Sequence, residues 1–388
     1  MHARRLAHLS NRRCFSTTSP SYANRAIVYS ENGSPPSVVR ALSYPTLSAP
    51  APGTLNLRVV LAPINPSDIN VVEGVYPSKP SPTTFPGSSE SLPLFVGGNE
   101  GLAEVQALGS GAESSGLKAG DWVIITRPQS GTWSSARNVR MEDVLKVPRR
   151  NGLSAVHAAT MTVNPPTAYN MLRDFIELKA GDWVVQNGAN SAVGQAIIQI
   201  ARSRGLNTIN LVRPRDDITS LTQELEALGG THVVTYDELA EKSIKSRVQE
   251  WTGGKAIRLG LNCVSGEPTT HMARLLGQDA HLVSYGAMSK QPLSLPTSLY
   301  IFKNLKSHGF WQSRWYDRHS RKDRERLVEE LVRMMSEGQL AGPKHEVVTI
   351  DRGESDSEAT RKVRDVFAKI SEGTKGTKVL LHLEETDD

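Results

Sequence analysis

Cysteine is scarce in this chain of 388 residues, where only Cys14 and Cys263 are present. Two cysteines cannot hold together a small disulfide scaffold, and the ten histidines show no HExxH spacing, so the sequence predicts no cysteine-rich zinc site and no bound metal. Long hydrophobic runs are also missing, because no stretch approaches the ~18 apolar residues that a membrane span needs. At roughly 150 residues per domain, the length predicts two to three domains without a membrane span.

Acidic residues are absent from the first 30 positions, which hold five arginines and a Ser/Thr run at 16–19. This composition, without a long apolar core, is typical of an organelle transit peptide, although a disordered basic tail is the alternative. We expect residues 1–22 to be a mitochondrial transit peptide and the mature protein to lie in the matrix. Their removal takes away four of 45 basic residues and none of the 40 acidic ones, so the net charge falls from +5 to about +1. That charge argues against a nucleic-acid surface.

The spacing of strand-like segments predicts the organisation of the chain. From residue 26 to about 160, short strands alternate with Pro and Gly turns, which indicates a mainly β region, and the Pro/Ser/Thr-rich residues 77–93 predict a surface loop. Beyond them, six apolar runs recur with room for helices between them, which favours an α/β fold with a doubly wound parallel sheet. The runs are Trp183–Gln186, Thr208–Val212, His232–Tyr236, Leu259–Val264, Ala280–Tyr285 and Leu305–Trp311.

The remaining residues predict a helix at 321–337, a strand at 345–350, a helix at 358–370 and a strand at 378–383. We expect this tail to return to the first domain. The expected domains are therefore 23–160, 161–315 for nucleotide binding, and a C-terminal segment 316–388.

The first strand of the middle region runs through Asn187–Gly194 directly into a predicted helix. Backbone N–H groups at such a helix start are where the pyrophosphate of a dinucleotide binds. The match to GxGxxG is incomplete, because Ala189 and Ser191 replace two glycines and only Gly194 stands at the third position. A strand-to-helix turn that binds no ligand is the alternative.

The next strand ends in Arg213–Arg215, where NAD-binding chains place an acidic residue for the ribose hydroxyls. Arginine can accommodate a 2′-phosphate, so the sequence favours NADPH over NADH. Asp216 and Asp217 are acidic rivals, but they follow the arginines, and we expect them to cap the next helix.

Several segments together carry a family resemblance. They are Ile64-Asn65-Pro66-Ser67-Asp68-Ile69-Asn70, Gly74-Val75-Tyr76-Pro77, Gly97-Gly98-Asn99-Glu100-Gly101, Gln186-Asn187-Gly188-Ala189-Asn190-Ser191, Leu261-Asn262-Cys263-Val264 and Gly309-Phe310-Trp311. With them the chain resembles the mitochondrial trans-2-enoyl thioester reductases, a zinc-free, quinone oxidoreductase-like branch of the medium-chain dehydrogenase/reductase superfamily. The resemblance covers almost everything from Ala26 to Leu383 and implies a GroES-like, mainly β catalytic domain with a Rossmann domain.

Departures from related groups are informative. Zinc alcohol dehydrogenases carry a cysteine in the segment that reads Asn65–Asp68 here and a histidine before the glutamate of Asn99–Gly101, and neither ligand is present. Alcohol oxidation at zinc is therefore disfavoured. Against its own group, the chain has the insertion at 77–93, which adjoins Tyr76 at the entrance of the substrate pocket, and Ser265 where glycine is expected.

The chemistry that the resemblance implies needs no metal. Reduction of an enoyl thioester requires a hydride at the β-carbon, a group that accepts charge at the thioester oxygen, and a proton for the α-carbon. NADPH supplies the hydride. The resemblance assigns the proton, or a hydrogen bond to the enolate, to Tyr76. Without the resemblance, Tyr76 would be interpreted as a half-buried loop aromatic.

The resemblance also implies the residues that bind the cofactor. These are Asn164, Asn190, Ser191, Ala192, Val193, Arg213, Pro214, Arg215, Tyr285, Gly286, Ala287, Met288, Phe310, Trp311, Gln312 and Lys378. Phe310 and Trp311 have packing or a dimer contact as their alternative role, and Lys378 could be an exposed lysine at the start of a strand.

The resulting hypothesis is an NADPH-dependent reduction of trans-2-enoyl thioesters, carried by acyl carrier protein or coenzyme A, as the last step of elongation in mitochondrial type II fatty acid synthesis. The resemblance implies a homodimer. A basic stretch over 314–326 is either a solvated helix start or a docking patch for coenzyme A phosphates or an acidic acyl carrier protein. The alternatives are a zinc-free quinone or enone reductase and a non-catalytic NADPH- or nucleic-acid-binding protein on the same fold.

Overall fold

Three β-sheets form the framework of residues 24–85, 93–373 and 376–385, which the computed structural model describes. The predicted leader at 1–22 lies outside these residues, and so does part of the predicted loop, residues 86–92. None of the helices in these ranges is long and apolar enough to cross a membrane.

The N-terminal region is mainly β, as predicted. Its strands are β1 (Asn24–Tyr29), β2 (Arg40–Tyr44), β3 (Thr54–Pro63), β4 (Phe95–Val96), β5 (Leu102–Leu108), β6 (Trp122–Ile125), β7 (Ala136–Arg140) and β8 (Val144–Lys146). Two short helices, α1 (Pro35–Val38) and α2 (Pro66–Val72), connect them. In β3, Leu55, Leu57, Val59 and Leu61 are buried at every second position, because successive side chains of a strand point to opposite faces.

The middle region forms a doubly wound parallel sheet, which confirms the predicted fold class and all six predicted strands. The strands are β9 (Trp183–Asn187), β10 (Asn207–Val212), β11 (His232–Thr235), β12 (Ile257–Asn262), β13 (Leu276–Ser284) and β14 (Lys306–Gly309). The short helix α3 (Ala155–Ala159) still packs against β3 and β5 of the N-terminal region. The helices of the middle region are α4 (Asn164–Asp174), α5 (Ala192–Ser203), α6 (Ile218–Ala227), α7 (Tyr236–Ala240), α8 (Ile244–Thr252), α9 (Gly266–Leu275) and α10 (Thr297–Lys303). The strand order β11-β10-β9-β12-β13-β14 reverses between β9 and β12, and ligands of such sheets bind outside the carboxyl ends at that point.

The C-terminal elements are α11 (Gln312–Arg318), α12 (Arg321–Ser336), β15 (His345–Ile350), α13 (Asp356–Glu372) and β16 (Lys378–Leu383). Strand β16 pairs antiparallel with β3, where Leu381 lies opposite Ala62, so the last strands extend the N-terminal sheet to seven strands. Helix α13 covers this region with Phe367, which packs 5.2 Å from Trp133 between ring centroids. We call β1–β8 with β15 and β16 the mixed-sheet lobe, and β9–β14 the parallel-sheet lobe.

One large hydrophobic cluster lies between the two lobes. It combines Leu61 and Ile124 of the mixed-sheet lobe with Ile197 and Leu261 of the parallel-sheet lobe, and helix α12 contributes Leu331. Because buried apolar surface is densely packed, this cluster holds the lobes in a defined arrangement.

Candidate active site

The turn between β9 and α5 has the geometry of an anion-binding helix start. Ser191 accepts a hydrogen bond from the Gly194 N–H at 3.1 Å and so begins α5, which leaves Ala192 and Val193 in its first turn. A Cβ atom at Gly194 would lie 2.5 Å from the Ala189 carbonyl oxygen, so only glycine fits there. The third glycine of the incomplete motif is therefore a steric requirement. Asn190 holds the turn through its carbonyl, which accepts from the Gln195 amide at 3.0 Å.

The arginines after β10 have different surroundings. Arg213 is exposed, as is Pro214, whereas the Arg215 guanidinium makes a bidentate pair with the Asp217 carboxylate, with 2.7 Å between Nη2 and Oδ2. Asp217 stands at the first position before α6, but its side chain makes no capping hydrogen bond. The prediction that Asp217 caps this helix is therefore wrong, because the carboxylate gains more from the adjacent guanidinium.

The segment after β13 lies beside the end of β12. The Tyr285 N–H donates to the Asn262 carbonyl at 2.8 Å, and the Met288 N–H donates to the Cys263 carbonyl at 2.8 Å. Gly286 follows Tyr285 at this edge, and Ala287 and Met288 are exposed. Burial raises the pKa of the Tyr285 hydroxyl well above its usual value, so this tyrosine stays neutral.

Ser265 has a backbone φ of +66°, the left-handed region that favours glycine. The sequence departs here from the glycine expected of its group, and the strain of a serine in this conformation is of the order of 1 kcal/mol or more. Part of it is offset because the Ser265 N–H donates to the Asn262 side chain at 2.9 Å.

The two lobes meet directly through Tyr76 and Trp311. Tyr76 follows α2 in the mixed-sheet lobe, and Trp311 follows β14 at the carboxyl edge of the parallel sheet. The Trp311 Nε1–H donates to the Tyr76 hydroxyl oxygen at 2.9 Å, and the rings meet edge to face with centroids 6.1 Å apart. Burial raises the pKa of Tyr76 above 10.0, although the hydrogen bond from Trp311 opposes this shift. Tyr76 is therefore protonated at neutral pH, and its own O–H proton is left to donate elsewhere.

The neighbours of Trp311 are turned inward. Phe310 packs edge to face on Phe175 with centroids 6.1 Å apart, and Gln312 is buried, where its Oε1 accepts from the Asn170 amide at 3.2 Å. Gln312 Nε2 has no hydrogen-bond partner among the described residues although it is buried. The contact between Phe310 and Phe175 is a packing contact, the role given above as the alternative to cofactor binding.

A buried polar cluster lies where the lobes and the C-terminal segment converge, and Asn65 is its centre. Asn65 Oδ1 accepts from Lys378 Nζ at 2.6 Å and from the Asn164 amide at 3.2 Å, while its own amide donates to Glu100 at 2.9 Å. Asp68 Oδ2 accepts from the Asn65 backbone N–H at 2.8 Å. Lys378 is only 8% exposed, so the alternative of an exposed lysine at the start of a strand is wrong.

Charge in this cluster is strongly affected by burial. Desolvation raises the pKa of Asp68 to about 7, and it raises the pKa of Glu100 as well. Burial lowers the pKa of Lys378, against the attraction of both carboxylates. Glu100 Oε1 also accepts the backbone N–H groups of Thr162 and Val163 at 2.7 and 2.8 Å, which ties it to the segment before α4.

Sequence reasoning did not assign roles to Asn65, Asp68 and Glu100, although they stand in the two segments compared with zinc enzymes. A partial signal was available for two of them, because Asn65 precedes Pro66 and is followed three residues later by Asp68, a pattern typical of a helix start. Within the described ranges, no group of three or more His, Cys, Asp or Glu side chains is placed to hold a metal ion. Asn65 and Asp68 instead form the capping box that begins α2.

Comparisons with known proteins agree with this two-lobed arrangement. Residues 51–164 match the family model described as alcohol dehydrogenase GroES-like domain, and residues 192–333 match the model described as zinc-binding dehydrogenase. The fold is thus that of the two-domain nicotinamide-dependent dehydrogenases. A putative NADPH:quinone reductase from Bacillus thuringiensis, at 21% identity and a TM-score of 0.72, covering 92% of this chain and 98% of that chain, shares the fold.

Relatives of higher sequence identity define the family within this fold. The mitochondrial enoyl-[acyl-carrier-protein] reductase of Yarrowia lipolytica is 40% identical over 90% of this chain and 89% of its own length, and that of Homo sapiens is 42% identical over 87% and 86%. The mitochondrial 2-enoyl thioester reductase Etr1p/Etr2p heterodimer of Candida tropicalis superposes with a TM-score of 0.84 at 34% identity, over 92% of this chain and 99% of that chain. The chain belongs to the family of mitochondrial enoyl-[acyl-carrier-protein] reductases.

Proposed function

We propose that the chain reduces the α,β double bond of trans-2-enoyl thioesters with NADPH, as the last step of elongation in mitochondrial fatty acid synthesis. The observation that carries this proposal is the Tyr76–Trp311 pair, because it brings a protonated hydroxyl from one lobe to the ligand-binding edge of the other. Further support comes from a structure described as the Etr1p/NADP/crotonyl-CoA complex, at 34% identity and a TM-score of 0.84. Crotonyl-CoA is itself a trans-2-enoyl thioester.

The residues present fit an NADPH molecule. The close approach of Gly194 to the Ala189 carbonyl gives a tight turn, and the first N–H groups of α5 can bind the pyrophosphate. Arg213 and Arg215 follow the neighbouring strand and can bind a 2′-phosphate. Lys378 and Asn164 meet at Asn65 in the buried polar cluster. Bound NADPH would supply a hydride to the β-carbon of the substrate.

The roles of the chain's own residues follow from the negative charge that develops on the substrate during the reaction. Addition of a hydride at the β-carbon places negative charge on the thioester oxygen, and a proton at the α-carbon then completes the saturated thioester. Tyr76 accepts from Trp311, so its O–H can donate to the developing enolate, and its raised pKa keeps that proton in place until it is needed. Phe175 and Phe310 pack beside this edge and help to exclude water.

The decisive experiment is a steady-state assay of the purified protein with trans-2-enoyl thioesters of short, medium and long chains. Each chain is presented on acyl carrier protein, on coenzyme A and on pantetheine, with NADPH or NADH. We expect NADPH-dependent loss of the enoyl double bond on at least one carrier. Reduction of quinones alone, with no turnover of any enoyl thioester, would contradict the proposal and favour the quinone or enone reductase alternative.

Acyl carrier protein is the carrier that we propose, and the basic stretch at 314–326 is where it would dock. Three cations of this stretch already have partners within the chain. Arg321 and Arg324 donate to backbone carbonyl oxygens, and Arg326 pairs with a carboxylate. Arg314 lies over the Trp311 ring at 5.8 Å, and Arg318 and Lys322 are exposed. This places cations next to the tryptophan that contacts Tyr76, which suits an acidic partner that delivers its substrate there.

We expect Arg215→Ser, and separately Arg213→Ser, to weaken NADPH selectively. A charge-assisted hydrogen bond to phosphate contributes roughly 1.5–3 kcal/mol, so the NADPH KM should rise about tenfold or more. The NADH KM should stay nearly unchanged, because NADH has no 2′-phosphate, and it serves as the internal control. Equal effects on both cofactors would show that these arginines do not bind the phosphate.

A homodimer is also part of the proposal, and the exposed side of α10 is its expected contact. Strand β14 pairs only with β13 within the described residues, so its other edge is open. Nearby, Tyr300, Ile301 and Phe302 are 40%, 66% and 76% exposed, which is unusual for large apolar side chains so close together. The related Etr1p/Etr2p protein is described as a heterodimer.

The double variant Ile301→Asp/Phe302→Asp should shift the protein from dimer to monomer, since two carboxylates cannot be buried in an apolar contact without partners. Sedimentation velocity at micromolar concentration measures the shift. Val347→Asp is the matched control. Val347 is 43% exposed on β15, which belongs to the seven-stranded sheet and not to the parallel sheet that contains β14. A wild-type protein that sediments as a monomer would rule out the dimer.

Import into mitochondria is proposed from the leader and supported by the mitochondrial relatives. Mass spectrometry of the protein recovered from mitochondria should give an N-terminus between Ser16 and Asn24. A predominant terminus at Met1 or His2 would mean that the segment is not a cleaved transit peptide.

A further inference from the structure

A cavity of about 370 Å³ lies beside the end of β10, with a volume at the lower end of the ~300–1,000 Å³ typical of ligand pockets. Its lining comes from two distant parts of the chain. Arg215, Asp217 and Glu224 come from the segment around the start of α6, and Lys344 and Thr377 come from the C-terminal segment. The cavity is therefore lined by both lobes, and of its lining residues only Arg215 was assigned to the cofactor from the sequence.

The cavity adjoins the turn between β9 and α5. A Cβ atom at Gly376, the residue before Thr377, would lie 3.4 Å from the Asn190 carbonyl oxygen of that turn. The Lys344 carbonyl accepts the Lys378 N–H at 2.8 Å, so the start of β15 is attached to the strand that carries the buried lysine. The backbone of Lys344 is thus fixed next to the place where a dinucleotide would lie.

On the Arg215 side of the cavity, two carboxylates partly offset the charge of the guanidinium. The Asp217 carboxylate pairs with Arg215, and Glu224 also lies close enough to raise the pKa of that guanidinium. A phosphate that carries nearly two negative charges would meet these carboxylates as well as the arginine. Lys344 lines the same cavity from the C-terminal segment, is exposed, and makes no ion pair with any of the described residues. It is therefore available to a ligand.

We infer that Lys344 is a specificity-determining residue that binds the 2′-phosphate of NADPH from the mixed-sheet side, opposite Arg215. This inference rests on the proposed NADPH-dependent function and adds to it a contact from outside the Rossmann domain. The phosphate then lies between cations of the two lobes, so cofactor selectivity is shared by the parallel sheet and the C-terminal segment.

The test compares equilibrium binding by calorimetry for wild type, Lys344→Gln, Lys344→Arg and Lys344→Glu. The probes are NADPH and NADH, and 2′,5′-ADP and 5′-AMP as fragments that differ in the 2′-phosphate. Lys344→Gln should weaken NADPH and 2′,5′-ADP about five- to tenfold, the loss of one charge-assisted contact, and leave NADH and 5′-AMP unchanged. Lys344→Arg should keep most of the affinity, and Lys344→Glu should lose more than Lys344→Gln.

The matched control is Lys179→Gln. Lys179 is exposed and precedes β9, so it lies at the amino edge of the parallel sheet, away from the cavity, and its loss should change no affinity. Unchanged NADPH binding by Lys344→Gln, or equal losses for NADPH and NADH, would overturn the inference while the proposed function stands. If wild type binds neither NADPH nor 2′,5′-ADP, the proposed function itself fails.

Discussion

Replacement of Tyr76 by phenylalanine is expected to lower kcat for enoyl thioester reduction by about 10²–10⁴, the usual contribution of a positioned acid. The change removes one oxygen atom and keeps the ring, so the edge-to-face contact with Trp311 is retained. NADPH binding should remain close to that of wild type. The measurement is kcat under conditions where chemistry limits turnover, together with the equilibrium constant for NADPH.

Trp311→Phe separates positioning from proton donation. It removes the hydrogen bond that holds the Tyr76 oxygen and opposes the rise of its pKa, but it leaves the acid itself in place. We expect a smaller loss of kcat than for Tyr76→Phe, and little further loss when both changes are combined. If Tyr76→Phe kept more than about a third of the wild-type kcat, the proton would come from another group or from water.

Replacement of Lys378 by methionine is expected to destabilise the protein by about 1–3 kcal/mol, the usual cost of removing one partner of a buried hydrogen bond, because the ammonium donates to Asn65 Oδ1 at 2.6 Å. Methionine fills a similar volume, but Glu100 and Asp68 are then left buried without the cation. Denaturant unfolding, followed by tryptophan fluorescence and by circular dichroism, measures the loss. Binding of NADPH should weaken as well, because Lys378 and Asn164 share Asn65.

The effect of Lys378→Met should depend on pH in a defined direction. Both carboxyl groups have raised pKa values in the folded protein, that of Asp68 about 7, so their protonated forms favour folding and stability is lost as they ionise. Without Lys378 the charged forms become still less favourable, so the variant should lose more stability at pH 8 than at pH 6. A loss that is the same at both pH values would show that the cluster is not charged as described.

The double variant Lys378→Met/Glu100→Gln is the control for this explanation. Glutamine keeps the shape of the glutamate and removes the unpaired charge, so part of the stability should return relative to Lys378→Met alone. Simple addition of the two single losses would mean that Lys378 and Glu100 do not interact.

The local elements could be predicted from the sequence because their signals lie within a few residues of each other. Apolar runs of four to seven residues predicted all six strands of the parallel sheet, and the start of α5 followed from the turn that ends in Gly194. The steric space at Gly194 shows why that position requires glycine, since a Cβ atom there would lie 2.5 Å from the Ala189 carbonyl oxygen.

The sequence did not predict the contact of a side chain that has two possible partners nearby. A helix start and an arginine both lie within reach of the Asp217 carboxylate, and nothing in the sequence states which one it contacts. The same holds for Lys378, whose place at the start of a strand is compatible with exposure and with burial. Its 8% exposure depends on Asn65, which is 313 positions away.

By itself the sequence determined the two kinds of lobe, the strand-to-helix turn that ends in Gly194 and the arginines after the next strand, because strand and helix periods and short motifs are encoded by adjacent residues. The choice of Tyr76 as the candidate acid came from the family resemblance. Only the tertiary structure decided that Trp311 donates to Tyr76 from 235 positions away, that Asn65 joins Lys378 to Asn164, and that Lys344 and Arg215 line one cavity. Such contacts exist only where the apolar cluster between the lobes has fixed their distance, and that packing depends on the whole chain at once.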